Sequence, residues 1–137
     1  MLKLTKQVEY GLISLVYISE KEDGNLSSAR EIASNNFIPL EILAKTLQRL
    51  AANNLIESVK GPKGGYRISS QIDEINIVEF IEILEGPVGL VGCLTAVDCE
   101  QECSCSIKNP MNMINDKIID VLKNIKISQF TKSLDGR

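Results

Sequence analysis

The 137-residue chain contains no histidine and no tryptophan, and its aromatic complement is three tyrosines and three phenylalanines. Without histidine there is no imidazole base near neutral pH, no Ser-His or Cys-His pair, and no His-containing metal site. No run of eighteen apolar residues occurs, so a membrane-spanning helix is excluded and no membrane partner is expected. The opening Met1-Leu2-Lys3-Leu4-Thr5-Lys6-Gln7 is too polar for a secretory signal, which leads us to expect a cytoplasmic protein. Basic residues are also in the minority: fifteen Lys and Arg stand against eighteen Asp and Glu, a net charge of −3. Taken whole, that acidity argues against a protein that coats nucleic acid through bulk charge.

The charge is unevenly spread. Residues 1–70 carry nine basic and seven acidic side chains, a balance of +2, and residues 71–137 carry six and eleven, a balance of −5. A basic first half and an acidic second half point to two jobs within one chain. With 44% hydrophobic residues the chain can bury one core and little more.

Periodicity supplies the elements. Val8, Leu12, Leu15 and Val16 recur at helical spacing and predict a helix over 5–20. Ser28-Ala29-Arg30-Glu31 fits a capping box opening a short second helix through Ile32 and Ala33 to Asn35-Asn36. Pro39 suits the first turn of a third helix with Leu43, Leu47 and Leu50 as its buried stripe and Asn53-Asn54 as its end. Ile56-Glu57-Ser58-Val59-Lys60 and Tyr66-Arg67-Ile68 flank Gly61-Pro62-Lys63-Gly64-Gly65 and predict a β-hairpin of strand, glycine-rich turn and strand. Asn76 caps a further helix carrying Val78, Ile81 and Leu84, stopped by Gly86-Pro87. Residues 88–108 show no period and read as a loop. Asn109-Pro110 then opens a helix over 109–127 with Met111, Ile114, Ile118, Val121 or Leu122, and Ile125 spaced by threes and fours. That stripe is narrow, as in a helix that packs on another helix, in this chain or in a second subunit.

Helix, short helix, turn, helix and two-stranded hairpin is the order of a winged helix-turn-helix, so the expected fold is mainly α with a small β-hairpin wing, followed by the long helix over 109–127. Residues 1–70 are expected to form the DNA-binding domain, and 71–137 the loop over 88–108 and the long helix. With the leucines of the third helix inward, 100° per residue places Glu41, Lys45 and Gln48 on the opposite side. Lys45 suits phosphate or guanine, Gln48 adenine and Glu41 the amino group of cytosine. The hairpin tip adds Lys60 and Lys63 for phosphate or minor-groove contact, and Ser28 joins them at the start of the second helix. The partner implied is double-stranded DNA.

All four cysteines fall in the loop, as Cys93-x5-Cys99-x3-Cys103-x-Cys105. Four thiolates in thirteen residues can converge on one soft metal centre, tetrahedral zinc or an iron–sulfur cluster. The near absence of paired C-x2–4-C knuckles favours the cluster. In a reducing compartment, disulfide exchange at Cys103-Ser104-Cys105 is a further reading, but no fold signal accompanies it.

Several segments occur together in a known order: Leu4-Thr5-Lys6, Tyr10-Gly11-Leu12, Leu47-Gln48-Arg49-Leu50, Val59-Lys60-Gly61-Pro62-Lys63-Gly64-Gly65-Tyr66, Leu84-Glu85-Gly86-Pro87, and Cys93/Cys99/Cys105. On these the chain resembles the IscR/NsrR/CymR regulators of bacteria over nearly its whole length. The resemblance implies a homodimeric transcriptional regulator, not an enzyme, that binds a palindromic operator and uses the long helix over 109–127 as its dimerisation helix. In the cluster-binding branch it also implies an iron–sulfur cluster controlling that binding, with Cys93, Cys99 and Cys105 as ligands. Where IscR-like chains place a histidine ligand, three residues beyond the last cysteine, this chain has Lys108, a poor iron ligand. The fourth place is then open to Glu9 from the partner subunit, as the resemblance suggests, or to Cys103. At the start of the reading helix Pro39 and Glu41 replace the small polar residues of IscR-like chains, so a different operator is expected. A cluster-free or zinc-stabilised regulator of the CymR kind is the alternative.

Overall fold

A computed structural model of the chain describes residues 4–21, 25–88 and 108–132. The first helix, α1 (Lys6–Ser19), begins where the Thr5 hydroxyl accepts the Val8 N–H and so satisfies one of the donors a helix start leaves unpaired. The same hydroxyl donates to the Glu85 carboxylate, far along the chain. Val8, Leu15 and Ile18 turn inward from α1, while Leu12 and Val16 are half-buried.

Ser28 caps α2 (Ala29–Asn36) by accepting the Glu31 N–H at 3.1 Å. The reciprocal half of the expected capping box is replaced. Glu31 instead accepts the Tyr17 hydroxyl at 2.8 Å and pairs with Lys21 at 2.8 Å, because a phenol and an ammonium from α1 and its end outcompete one backbone N–H. Pro39 stands just before α3 (Leu40–Ala52) rather than inside its first turn. Leu43, Leu47 and Leu50 are fully buried, as their spacing predicts.

The hairpin forms from β1 (Ile56–Val59) and β2 (Gly65–Ile68), antiparallel, with Ile56 opposite Ile68 and Val59 opposite Gly65. Ser27 adds a one-residue bridge to Tyr66 through N–H···O bonds of 3.0 and 2.8 Å, which fastens the wing to the start of α2. A Cβ on Gly65 would lie 2.8 Å from the Ser27 carbonyl, so only glycine permits that approach.

A 3-10 turn (Ser70–Glu74) leads to α4 (Ile77–Glu85), where Asn76 and Glu79 form a complete capping box. The expected stripe of α4 needs one correction: Val78 and Leu84 are buried, Ile81 is only half-buried, and Phe80 is the large side chain at the centre. The helix lies against α1 and α3 at once, and a helix flanked on two sides buries a wider arc than one stripe.

The helix expected over 109–127 ends four residues early, and a separate short helix stands beyond its expected end. The long helix α5 (Lys108–Lys123) ends at Asn124, whose amide donates to the Asp120 carbonyl, and α6 (Ser128–Lys132) follows. Between them the backbone runs extended beside the start of α4, with Ile77 N–H to Ile125 O and Ile127 N–H to Ile75 O both 2.9 Å. That break lets Ile127 enter the core, where it is fully buried. Residues of α1–α3, Phe80 and Leu84 of α4, and Ile127 form one cluster, so the two halves that differ in charge share a core.

Candidate nucleic-acid interface

The third helix presents its polar side outward. Glu41, Lys45 and Gln48 are exposed, while Thr46 on the inner side donates its hydroxyl to the Ile42 carbonyl at 2.9 Å. None of the three exposed side chains pairs with another described residue. Arg49 belongs to a different arrangement: its guanidinium donates a 2.7 Å bond to the Leu84 carbonyl at the end of α4.

The wing tip is closed by a 2.9 Å bond from Gly64 N–H to Gly61 O. A Cβ at Gly64 would sit 2.1 Å from the Val59 carbonyl, so the turn exists only because that residue is glycine. Lys60 and Lys63 are exposed on this tip without ion pairs among the described residues. Arg67, lower on the wing, is held across the strands by Glu57 at 2.7 Å. The two lysines are therefore its outward positive charges.

Around the start of α2 stands Arg30, which is not among the residues expected from the sequence to contact DNA. It is exposed, pairs with no described residue, and lines a groove of about 320 Å³ with Ala33, Ser34, Ile38 and Leu40. Its place two residues after the cap Ser28, on the polar side of a short helix, is the signal that could have found it. Ser28 itself is half-buried, and its hydroxyl oxygen is already accepting the Glu31 N–H.

Behind the reader, Tyr17, Lys21, Glu31 and Asn35 join α1 to α2. The Lys21 ammonium, then the Tyr17 hydroxyl, holds the Glu31 carboxyl below its ordinary range. The same carboxylate raises Lys21 and Tyr17 above theirs through hydrogen bonds.

The cysteine-based part of the expectation lies elsewhere. Cys93, Cys99, Cys103 and Cys105 are outside the described residues, as are residues 89–107 of the loop expected over 88–108, while Lys108 at its end is the first residue of α5. Glu9 stands half-exposed on α1, paired with Lys6 at 3.2 Å one turn away. Among the described residues no group of three or more His, Cys, Asp or Glu side chains could hold a metal ion. Three thiolates with one carboxylate, or four thiolates, would form a donor set that suits iron, since thiolates are the usual cluster ligands. On α5, Met113, Ile114 and Val121 are exposed apolar residues, Val121 to 64%, and Ile118 is half-buried between the last two. No helix of the described residues is long and apolar enough to cross a membrane.

A reading helix set by a short helix and a turn, with a β-hairpin wing beside it, defines a winged helix-turn-helix protein. The model of the Rrf2 family, described as an iron-dependent transcriptional regulator, matches residues 4–133. The chain belongs to the Rrf2 family of transcriptional regulators. It is 29% identical to the HTH-type transcriptional regulator NsrR of Bacillus subtilis over 113 residues, 81% of this chain and 77% of that protein. Its fold matches CymR, the global cysteine regulator of B. subtilis, with a TM-score of 0.73 and 26% identity over 97% of this chain and 98% of that one. It also matches the fold of T. potens IscR, with a TM-score of 0.69 and 20% identity over 99% and 89% of the two chains.

Proposed function

We propose that this protein is a cytoplasmic homodimeric regulator, acting as a repressor, that binds a palindromic DNA operator under the control of an iron–sulfur cluster. The observation that carries the DNA part is the placement of Glu41, Lys45 and Gln48 on one exposed side of α3 beside a wing bearing Lys60 and Lys63. Uncommitted polar groups on a helix can read base edges, and lysines on a glycine-rich tip can hold phosphate. Ser28 and Arg30 at the start of α2 would add contacts to the backbone.

The dimer reading rests on α5. Met111, Ile114, Ile118 and Val121 follow at steps of three, four and three, the spacing of a helix seam. Exposed Ile114 and Val121 gain a dry partner if the same helix of a second copy lies against them.

The cluster reading rests on Cys93-x5-Cys99-x5-Cys105 in a regulator similar to NsrR. These three cysteines would hold the cluster, with Glu9 of the partner subunit or Cys103 in the fourth place. When bound, the cluster would supply an iron centre sensitive to iron–sulfur status, oxidants or nitric oxide. Control of DNA binding requires that the protein's two arrangements differ in affinity for the cluster, and α5, which leads away from the cysteine segment, is the element through which the readers would be reset.

The likeness to CymR favours a second reading, a cluster-free or zinc-stabilised regulator. Purification without oxygen, a visible spectrum and analysis of iron, sulfide and zinc separate the two. Brown protein with matching iron and sulfide is the expected result, and colourless protein carrying one zinc per chain overturns the cluster. Glu9→Ala should then weaken cluster retention in an intact dimer, whereas unchanged retention assigns the fourth place to Cys103.

A further inference from the structure

Phe37 closes α2 with φ 54 and ψ 43, in the left-handed region, and its side chain is 95% exposed. Both features are unfavourable. A residue with a Cβ is strained there, where glycine or asparagine usually stands, and an aromatic ring in water loses the burial it could have had. The left-handed backbone is what closes the turn, since it brings the Ile38 N–H to the Ala33 carbonyl at 3.0 Å and buries Ile38, but glycine would serve there without strain and without a ring in water. Strain kept together with an exposed apolar group is a mark of a working surface.

The position says what that surface meets. Three residues on, Leu40 opens α3, is 40% exposed, and lines the groove that also holds Arg30. The turn thus carries Phe37 to the amino end of the helix whose outer side bears Glu41, Lys45 and Gln48. Of the four base pairs' major-groove edges, only thymine displays an apolar group, its C5-methyl.

We propose that Phe37 and Leu40 form an apolar tip on the reading helix that selects thymine, by packing against its C5-methyl group in each half-site of the operator. The assignment rests on the DNA-binding reading above and names a specificity determinant within it. Arg30, beside Leu40, would take the adjacent phosphate and hold the tip in register.

Selection of bound duplexes from a random library, using the 137-residue protein purified without oxygen, tests the contact. Phe37→Gly is the matched variant, because glycine suits φ 54 and keeps the turn. The wild-type protein should enrich a palindrome with a fixed thymine in each half-site, and Phe37→Gly the same palindrome with that thymine relaxed. Replacing this thymine by uracil removes only the methyl. It should weaken wild-type binding about fourfold per site, equivalent to ~0.8 kcal/mol for one buried methyl, and leave the variant unchanged. The salt dependence of binding should be the same in both proteins, since no charge is lost. Identical selected sequences and equal sensitivity to uracil in the two proteins overturn the thymine assignment and leave the DNA-binding reading standing. A wild-type protein that enriches no sequence overturns both.

Discussion

Arg49 of the reading helix donates a 2.7 Å hydrogen bond to the carbonyl of Leu84, at the last turn of α4. That carbonyl is one of the acceptors a helix end leaves without an internal partner, and it carries the negative end of the helix dipole. A guanidinium is well matched to it. Glu85, the next residue, accepts the hydroxyl of Thr5 at the start of α1. The end of α4 is thereby tied to the reading helix and to α1, and its position fixes the angle at which α3 is presented.

Arg49→Ala should therefore lower stability by about 2 kcal/mol, the worth of a charged hydrogen bond to a part-buried carbonyl. Urea unfolding would measure it. Arg49→Lys, which keeps the charge and loses the planar fork, should recover part of the loss. A neutral effect of both would show that the Arg49 hydrogen bond does not hold α4.

Gly64→Ala places a methyl 2.1 Å from the Val59 carbonyl, so the tip must open. The core lies elsewhere, and thermal unfolding should move little. Duplex binding should fall on the order of tenfold as Lys60 and Lys63 lose their setting. A gel-shift titration beside a melting curve would detect that separation.

Lys60→Ala and Lys63→Ala address the wing charges singly. Each should reduce the slope of log affinity against log salt by about 1 and weaken binding to all sequences alike. An unaltered slope would count against phosphate contact at that residue.

The Tyr17–Lys21–Glu31 group gives the fold a dependence on pH. Glu31 titrates below its ordinary value when folded, so its contribution is present above about pH 4 and is lost as pH falls through the folded value. Lys21 and Tyr17 titrate above theirs, so their contribution is present below about pH 10 and is lost as pH rises through the folded values. Glu31→Gln should cost about 1 kcal/mol between those limits, with the cost fading as pH falls through the folded value of Glu31. Denaturation midpoints of the two proteins across that range would test it.

Much of the fold was legible where a residue's role depends on near neighbours. The leucines of α3 share a face whatever surrounds them, and Asn76 with Glu79 satisfies a helix start three residues long. The Gly61-Pro62-Lys63-Gly64-Gly65 run permits a turn that few other sequences allow. Where the partner is remote, the local pattern misleads. Glu31 looks like half of a capping box until Tyr17, fourteen residues back, offers a better donor. Phe80 stands off the expected stripe of α4, and its place becomes clear only at Gly11 of α1. There a Cβ would lie 2.8 Å from the Phe80 ring, so the glycine is a seat for that side chain.

The candidate reader shows the same division. The outward placement of Glu41, Lys45 and Gln48 follows from helix geometry and three inward leucines. Arg49 is as polar as Gln48 and adjacent to it, yet it is spoken for by a carbonyl thirty-five residues on. Phe37 is apolar and would be expected inside, yet the turn sets it in water.

By itself, then, the sequence determined the order of the elements, the inner faces of the regular helices, the wing and the split of charge. These depend on short-range spacing and on the backbone limits of glycine and proline. Only the tertiary structure decided which polar groups are already engaged, where α5 gives way so that Ile127 can enter the core, and which apolar side chains are left outside. Those outcomes are competitions between partners distant in the chain, and the strength of each competitor depends on the packing that brings it near.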